Sequence, residues 1–118
     1  MKTLVLGASS NPERYSFLAI SRLLQHDHAV EAIGLRNEKV FDVEIQKGFP
    51  ELQDVHTVTL YLNPQRQKEY YEYILQLHPK RVIFNPGTEN PEFYELLQKH
   101  TIEVEVACTL VMLGTGQY

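Results

Sequence analysis

Thr3-Leu4-Val5-Leu6-Gly7-Ala8-Ser9-Ser10-Asn11-Pro12-Glu13-Arg14-Tyr15 is the stretch that decides the fold. Residues 3–6 are a short apolar run, the pattern of a strand buried on both faces of a parallel sheet. Gly7 permits a tight turn at which backbone can approach a ligand. Asn11-Pro12 predicts a helix start, with Asn as N-cap and Pro at the first helical position. A strand that passes through a Gly-Ser turn into a helix N-terminus presents unpaired N–H groups and a positive dipole end. Both favour a phosphate.

Outward from this stretch, residues 13–25 carry Tyr15, Leu18, Ala19, Ile20, Leu23 and Leu24 on one side, an amphipathic helix. Further strands are expected at residues 30–35, 57–62, 81–84 and 102–106, with a short edge strand at 43–45. Asn63-Pro64 and Asn90-Pro91 repeat the helix-start pair, the first opening a helix that runs to Leu77 and stops at His78-Pro79. Residues 36–39 close the second strand, 48–54 read as a loop, and 108–113 are apolar without a clear period. Strands alternating with helices at this spacing mean βαβ units in a mainly parallel, doubly wound sheet with helices on both faces. The Asn-Pro pairs place several helix N-termini along the carboxyl edge of that sheet, where ligands bind in such folds.

Composition narrows the class. The 118 residues, 43% hydrophobic and 22% charged, suit one core and one domain over residues 1–118. An enzyme with a separate substrate domain does not fit. The net charge of −4 supplies no general attraction to nucleic acid or to an anionic membrane, so an anion site must be built locally. The Met-Lys-Thr start is too short for a signal peptide, and no stretch approaches a membrane span. A single cysteine excludes an internal disulfide and fits a cytoplasmic protein.

The first turn also excludes chemistry. Gly7-Ala8-Ser9-Ser10-Asn11 lacks the later glycines of the dinucleotide fingerprint and the Gly-Lys-Ser/Thr of a nucleoside-triphosphate loop. An NAD site carries an acid at the end of the second strand, whereas Leu35-Arg36 stands here. A cation at that place suits an extra ribose phosphate, either the 2′-phosphate of NADP or the 3′-phosphate of coenzyme A. Arg14 is a second cation near the diphosphate and can clamp a phosphate bidentately.

Gly7-Ala8-Ser9, Asn11-Pro12-x-Arg14, Tyr61-Leu62-Asn63-Pro64, Asn85-Pro86-Gly87 and Ala107-Cys108-Thr109-Leu110-Val111-Met112-Leu113 together resemble the small stand-alone CoA-binding domain proteins of bacteria and archaea. These are similar to the CoA-binding domain of the succinyl-CoA synthetase alpha subunit. The resemblance spans essentially the whole chain. It implies a Rossmann-like, three-layer α/β/α sheet in the order 3-2-1-4-5-6, with coenzyme A or an acyl-CoA as ligand. By position it places Gly7, Ala8 and Ser9 at the diphosphate with Arg14 near a phosphate, and counts Asn11 among the cofactor-binding residues. Leu35 and Arg36 flank the adenine and ribose phosphate, Tyr61, Asn63 and Pro64 border the nucleotide cleft, and Pro86-Gly87 follows the pantetheine. Many relatives have Asn-Pro-Lys after the second strand, where this chain has Gly34-Leu35-Arg36-Asn37. The synthetase's phosphorylated histidine belongs to another domain, so the resemblance implies binding and no catalytic residue. An NADP-binding oxidoreductase-like domain and an interaction domain that has lost its ligand are the alternatives.

Other residues carry less. Cys108 reads as a small buried hydrophobe, or as a thiol facing that of bound CoA. His26-Asp27-His28 lacks a third ligand and reads as solvated surface, with no metal. Of Tyr70, Tyr71 and Tyr73, two at most can face the core. A third, exposed beside the apolar C-terminal segment, would suit a homodimer surface, the other reading being ordinary amphipathic cover.

Overall fold

Seven strands make one sheet in the computed structural model, which describes residues 1–118. They are β1 (Lys2–Ala8), β2 (Ala29–Gly34), β3 (Glu38–Val40), β4 (Val43–Gln46), β5 (Val55–Leu60), β6 (Arg81–Phe84) and β7 (Glu103–Val106), in the order β3-β4-β2-β1-β5-β6-β7. Every pairing is parallel except β3 with β4. Without β3, the order is the expected 3-2-1-4-5-6. The chain is a Rossmann-like, doubly wound α/β domain.

The helices are α1 (Tyr15–Gln25), α2 (Pro64–Gln67), α3 (Tyr71–Leu77), α4 (Pro91–Lys99) and α5 (Thr109–Gly114), with a 3₁₀ turn at Lys68–Tyr70 between α2 and α3. Strand alternation sorts side chains to two faces. Leu4, Leu6, Val58, Leu60, Val82 and Phe84 pack against Tyr70, Ile74, Phe93 and Leu97 from the α2–α4 side. Val5, Ala32 and Ile45 pack against Ile20 and Leu23 of α1 and Leu113 of α5. This second face is polar at its centre, where Thr57, Thr59, Arg81 and Asn85 are buried. Asn85 donates to Thr59 Oγ1 (2.7 Å) and to the Leu60 carbonyl (2.9 Å), and accepts from the Thr109 amide (2.9 Å), so it ties β5, β6 and the start of α5 together.

Several expectations need correction. Asn11 is not the N-cap of α1. Its Oδ1 accepts from the Glu13 amide (3.0 Å) and its carbonyl from the Arg14 amide (3.0 Å), so the chain completes a turn first. Arg14 is the residue before the helix. Residues 38–40 do not close the second strand but form β3, which makes a hairpin on β4 and takes over the sheet edge. The helix expected from Asn63-Pro64 to Leu77 breaks into α2, a 3₁₀ turn and α3. Residues 109–114 are helical. None of the three tyrosines is exposed: Tyr70 is buried and Tyr71 and Tyr73 are half-buried, each with its hydroxyl bonded.

Candidate functional site

The site begins where β1 and β2 stop matching. The register slips between Leu6 and Ala8, leaving Gly7 as a bulge at φ +97°. The Tyr61 amide bonds the Leu6 carbonyl at 2.8 Å. A Cβ on Gly7 would lie 2.9 Å from the Tyr61 carbonyl carbon, and one on Gly34 would lie 2.4 Å from the Ala8 carbonyl oxygen. Two strands and a turn therefore close around positions that only glycine fills. The result is an open carboxyl edge leading into α1, whose first intrahelical donor is the Phe17 amide, bonded to the Arg14 carbonyl (3.1 Å). The amides of Tyr15 and Ser16 precede that first bond, and both residues line the cleft.

That cleft has a volume of about 960 Å³, within the range of small-molecule sites. Gly7, Ala8, Ser9, Asn11 and Arg14 form one wall, and Leu35 and Arg36 stand at the end of β2. Tyr61 and Asn63 lie beyond β5, with Pro86 and Gly87 beyond β6. The structure thus gathers the residues singled out from sequence into one cavity, except Pro64. Pro64 sits at the first position of α2 but outside the cleft wall. Asn63 and Arg66, three apart, share the face that looks into the cleft, and Pro64 is turned away from it. Cys108 is half-buried at the start of α5 and is not part of the wall.

Other wall residues escaped the sequence reading. Arg66 was findable, because Asn63-Pro64-Gln65-Arg66 repeats the pattern of Asn11-Pro12-Glu13-Arg14. Lys47 and Phe49 follow a short strand, and only the pairing of β4 with β2 brings them beside Leu35. The cleft carries Arg14, Arg36, Lys47 and Arg66 against Glu38 and Glu69. A chain of net charge −4 therefore has a locally cationic cavity.

Tyr61 backs this wall. Its hydroxyl is buried without a hydrogen-bond partner, close to the Thr59 and Thr109 hydroxyls, which bond each other (2.7 Å). Burial pushes its pKa up to about 12, so the phenol is neutral. The geometry suits an extended ligand that combines anionic groups, held by backbone amides and arginines, with apolar parts. No helix is long and apolar enough to cross a membrane.

Comparison with known proteins gives the same outline. Residues 1–114 match the family model described as a CoA binding domain. No curated protein matches the chain. Among solved structures, it is similar to the crystal structure of an uncharacterized protein with 49% identity and a TM-score of 0.96, over 99% of this chain and 97% of that one. It is also similar to a Thermus thermophilus protein (22% identity, TM-score 0.86, covering 99% and 90%). A hypothetical protein from Pyrococcus horikoshii has the same fold (24% identity, TM-score 0.85, covering 96% and 81%).

Proposed function

Since the chain belongs to the CoA binding domain family, we propose that its cleft holds coenzyme A or an acyl-CoA, and that the protein binds this ligand without a catalysed step. In this reading the diphosphate lies along Gly7, Ala8 and Ser9 at the start of α1, where free amides and the helix dipole meet an anion. Arg14 and Arg66 clamp it from opposite sides. Arg36 and Lys47 hold the ribose 3′-phosphate, and Pro86-Gly87 borders the pantetheine. The observation that carries the reading is the convergence of the Gly7 bulge, the α1 N-terminus and four cations on one cavity. The acyl group is carried for a partner or sensed, in a cytoplasmic protein.

Isothermal titration with CoA, acetyl-CoA and NADP tests this. CoA should bind, and Arg14→Ala should weaken it by about 1.5–3 kcal/mol through loss of a charge-assisted phosphate bond. Binding of NADP with none of CoA would overturn the reading, because an extra ribose phosphate at Arg36 is common to both ligands.

A further inference from the structure

Phe49 is held out at the mouth of the cleft. Its side chain is 55% exposed, although an aromatic ring of that size gains by burial. The loop cannot easily fold it away, because both neighbouring carbonyls are pinned. The Tyr70 hydroxyl donates to the Gly48 carbonyl (3.4 Å) and the Tyr73 hydroxyl to the Pro50 carbonyl. The two tyrosine rings also support the Phe49 ring directly, with centroids at 4.9 Å and 5.6 Å. Gly48, at φ +81°, makes the bend that presents it.

Leu35, 69% exposed just past the end of β2, the strand that pairs with β4, lines the same cleft. Arg36 follows Leu35 and Lys47 precedes Phe49 by two residues, and both cations line the cleft as well. We infer that Phe49 is the specificity-determining residue for a planar heteroaromatic ring. The base of the ligand stacks on the pre-positioned phenyl face, and its ribose phosphate meets Arg36 and Lys47. The inference rests on the binding reading above and adds to it a residue that selects for a base rather than for phosphate alone. Stacking on an aromatic face tolerates any planar base, so the preference is for the base as a class.

The test compares wild type, Phe49→Ala and Phe49→Tyr with three probes: CoA, adenosine 3′,5′-diphosphate and the base-free 4′-phosphopantetheine. Phe49→Ala should weaken CoA and the adenosine diphosphate by about tenfold or more and leave phosphopantetheine unchanged, with Phe49→Tyr close to wild type. Adenine proton resonances should move upfield on binding to wild type and Phe49→Tyr, and not with Phe49→Ala. An equal loss for all three probes would overturn the inference, making Phe49 a support of the loop. Unchanged CoA affinity in Phe49→Ala would overturn it too. Should the adenosine diphosphate bind in a Phe49-dependent way while CoA does not bind at all, the CoA reading fails and the stacking role stands. If wild type binds no adenine-bearing probe, both fail.

Discussion

Gly7 and Gly34 are single residues on which the cleft depends, for different reasons. Gly7 needs both a positive φ and the space against Tyr61, while Gly34 needs only the space that the Ala8 carbonyl occupies. Gly116 has a positive φ with open space around it and serves as a control. Its replacement by Ala should cost about 1–2 kcal/mol, the price of left-handed backbone alone. Gly7→Ala should add to that a steric cost of roughly 1–3 kcal/mol, since the atoms of Tyr61 opposite it are backbone, whereas Gly34→Ala should carry the steric cost alone. Urea denaturation should show Gly7→Ala as the least stable of the three, and a Gly116 variant as unstable as the Gly7 variant would refute this. The need for Gly7 was legible in the sequence as punctuation between a strand and a helix. That for Gly34 was not, because it arises only once the register of β1 on β2 is known.

At the scale of elements, the Asn-Pro pairs predicted two helix starts correctly and one three residues early. Asn63 Oδ1 accepts from the Arg66 amide (2.9 Å) and Asn90 Oδ1 from the Phe93 amide (3.3 Å). Asn63→Ala should cost about 1 kcal/mol, an ordinary cap loss. Asn90 is buried and also donates to Gln67 Oε1 (2.9 Å) and the Tyr71 hydroxyl (2.8 Å). Asn90→Ala therefore orphans a buried amide oxygen and should cost about 1–3 kcal/mol more, measured by thermal unfolding of the two variants together. Strand β3 was illegible because Glu38-Lys39-Val40 shows no apolar alternation and gains its place from the hairpin on β4. Helix α5 was ambiguous because residues 109–113 are apolar with one threonine, too short a run for a period to appear.

For the molecule as a whole, the sheet has two unlike ends. The carboxyl end holds the cleft, and most of its wall was legible from strand-end residues. Lys47 and Phe49 were not, because their nearness to Leu35 is a fact of sheet order. The opposite end gathers charge around Arg81, 8% exposed, which bonds Thr57 Oγ1 (2.9 Å) and Glu105 (3.2 Å) while one nitrogen lacks a partner. Burial first, then neighbouring positive charge, holds His28 and His56 below 6.5. For His28 these charges are the N-terminus, His26 and Arg81, and for His56 they are Arg81, Lys80 and the N-terminus. As pH falls below 6.5, the unfolded chain takes up protons before the folded one does, so stability drops. The double variant His28→Gln/His56→Gln should show a flatter dependence in thermal scans from about pH 8 to about pH 5. An unchanged slope would show that these two histidines are not the source.

The ring of Tyr118 lies over the Arg81 guanidinium at 4.5 Å, and its hydroxyl bonds that of Thr3. That bond ties residue 118 to the beginning of β1, at the end of the sheet away from the cleft. Connectivity and binding are thereby separated: a peptide bridge could join residue 118 to the start of β1, and the ring could be cut again in the exposed 98–101 turn, outside the cleft. Every residue of the cleft wall would keep its place in such a circular permutant, because the sheet pairings and the Asn85 hub hold it there, and neither depends on where the chain is open.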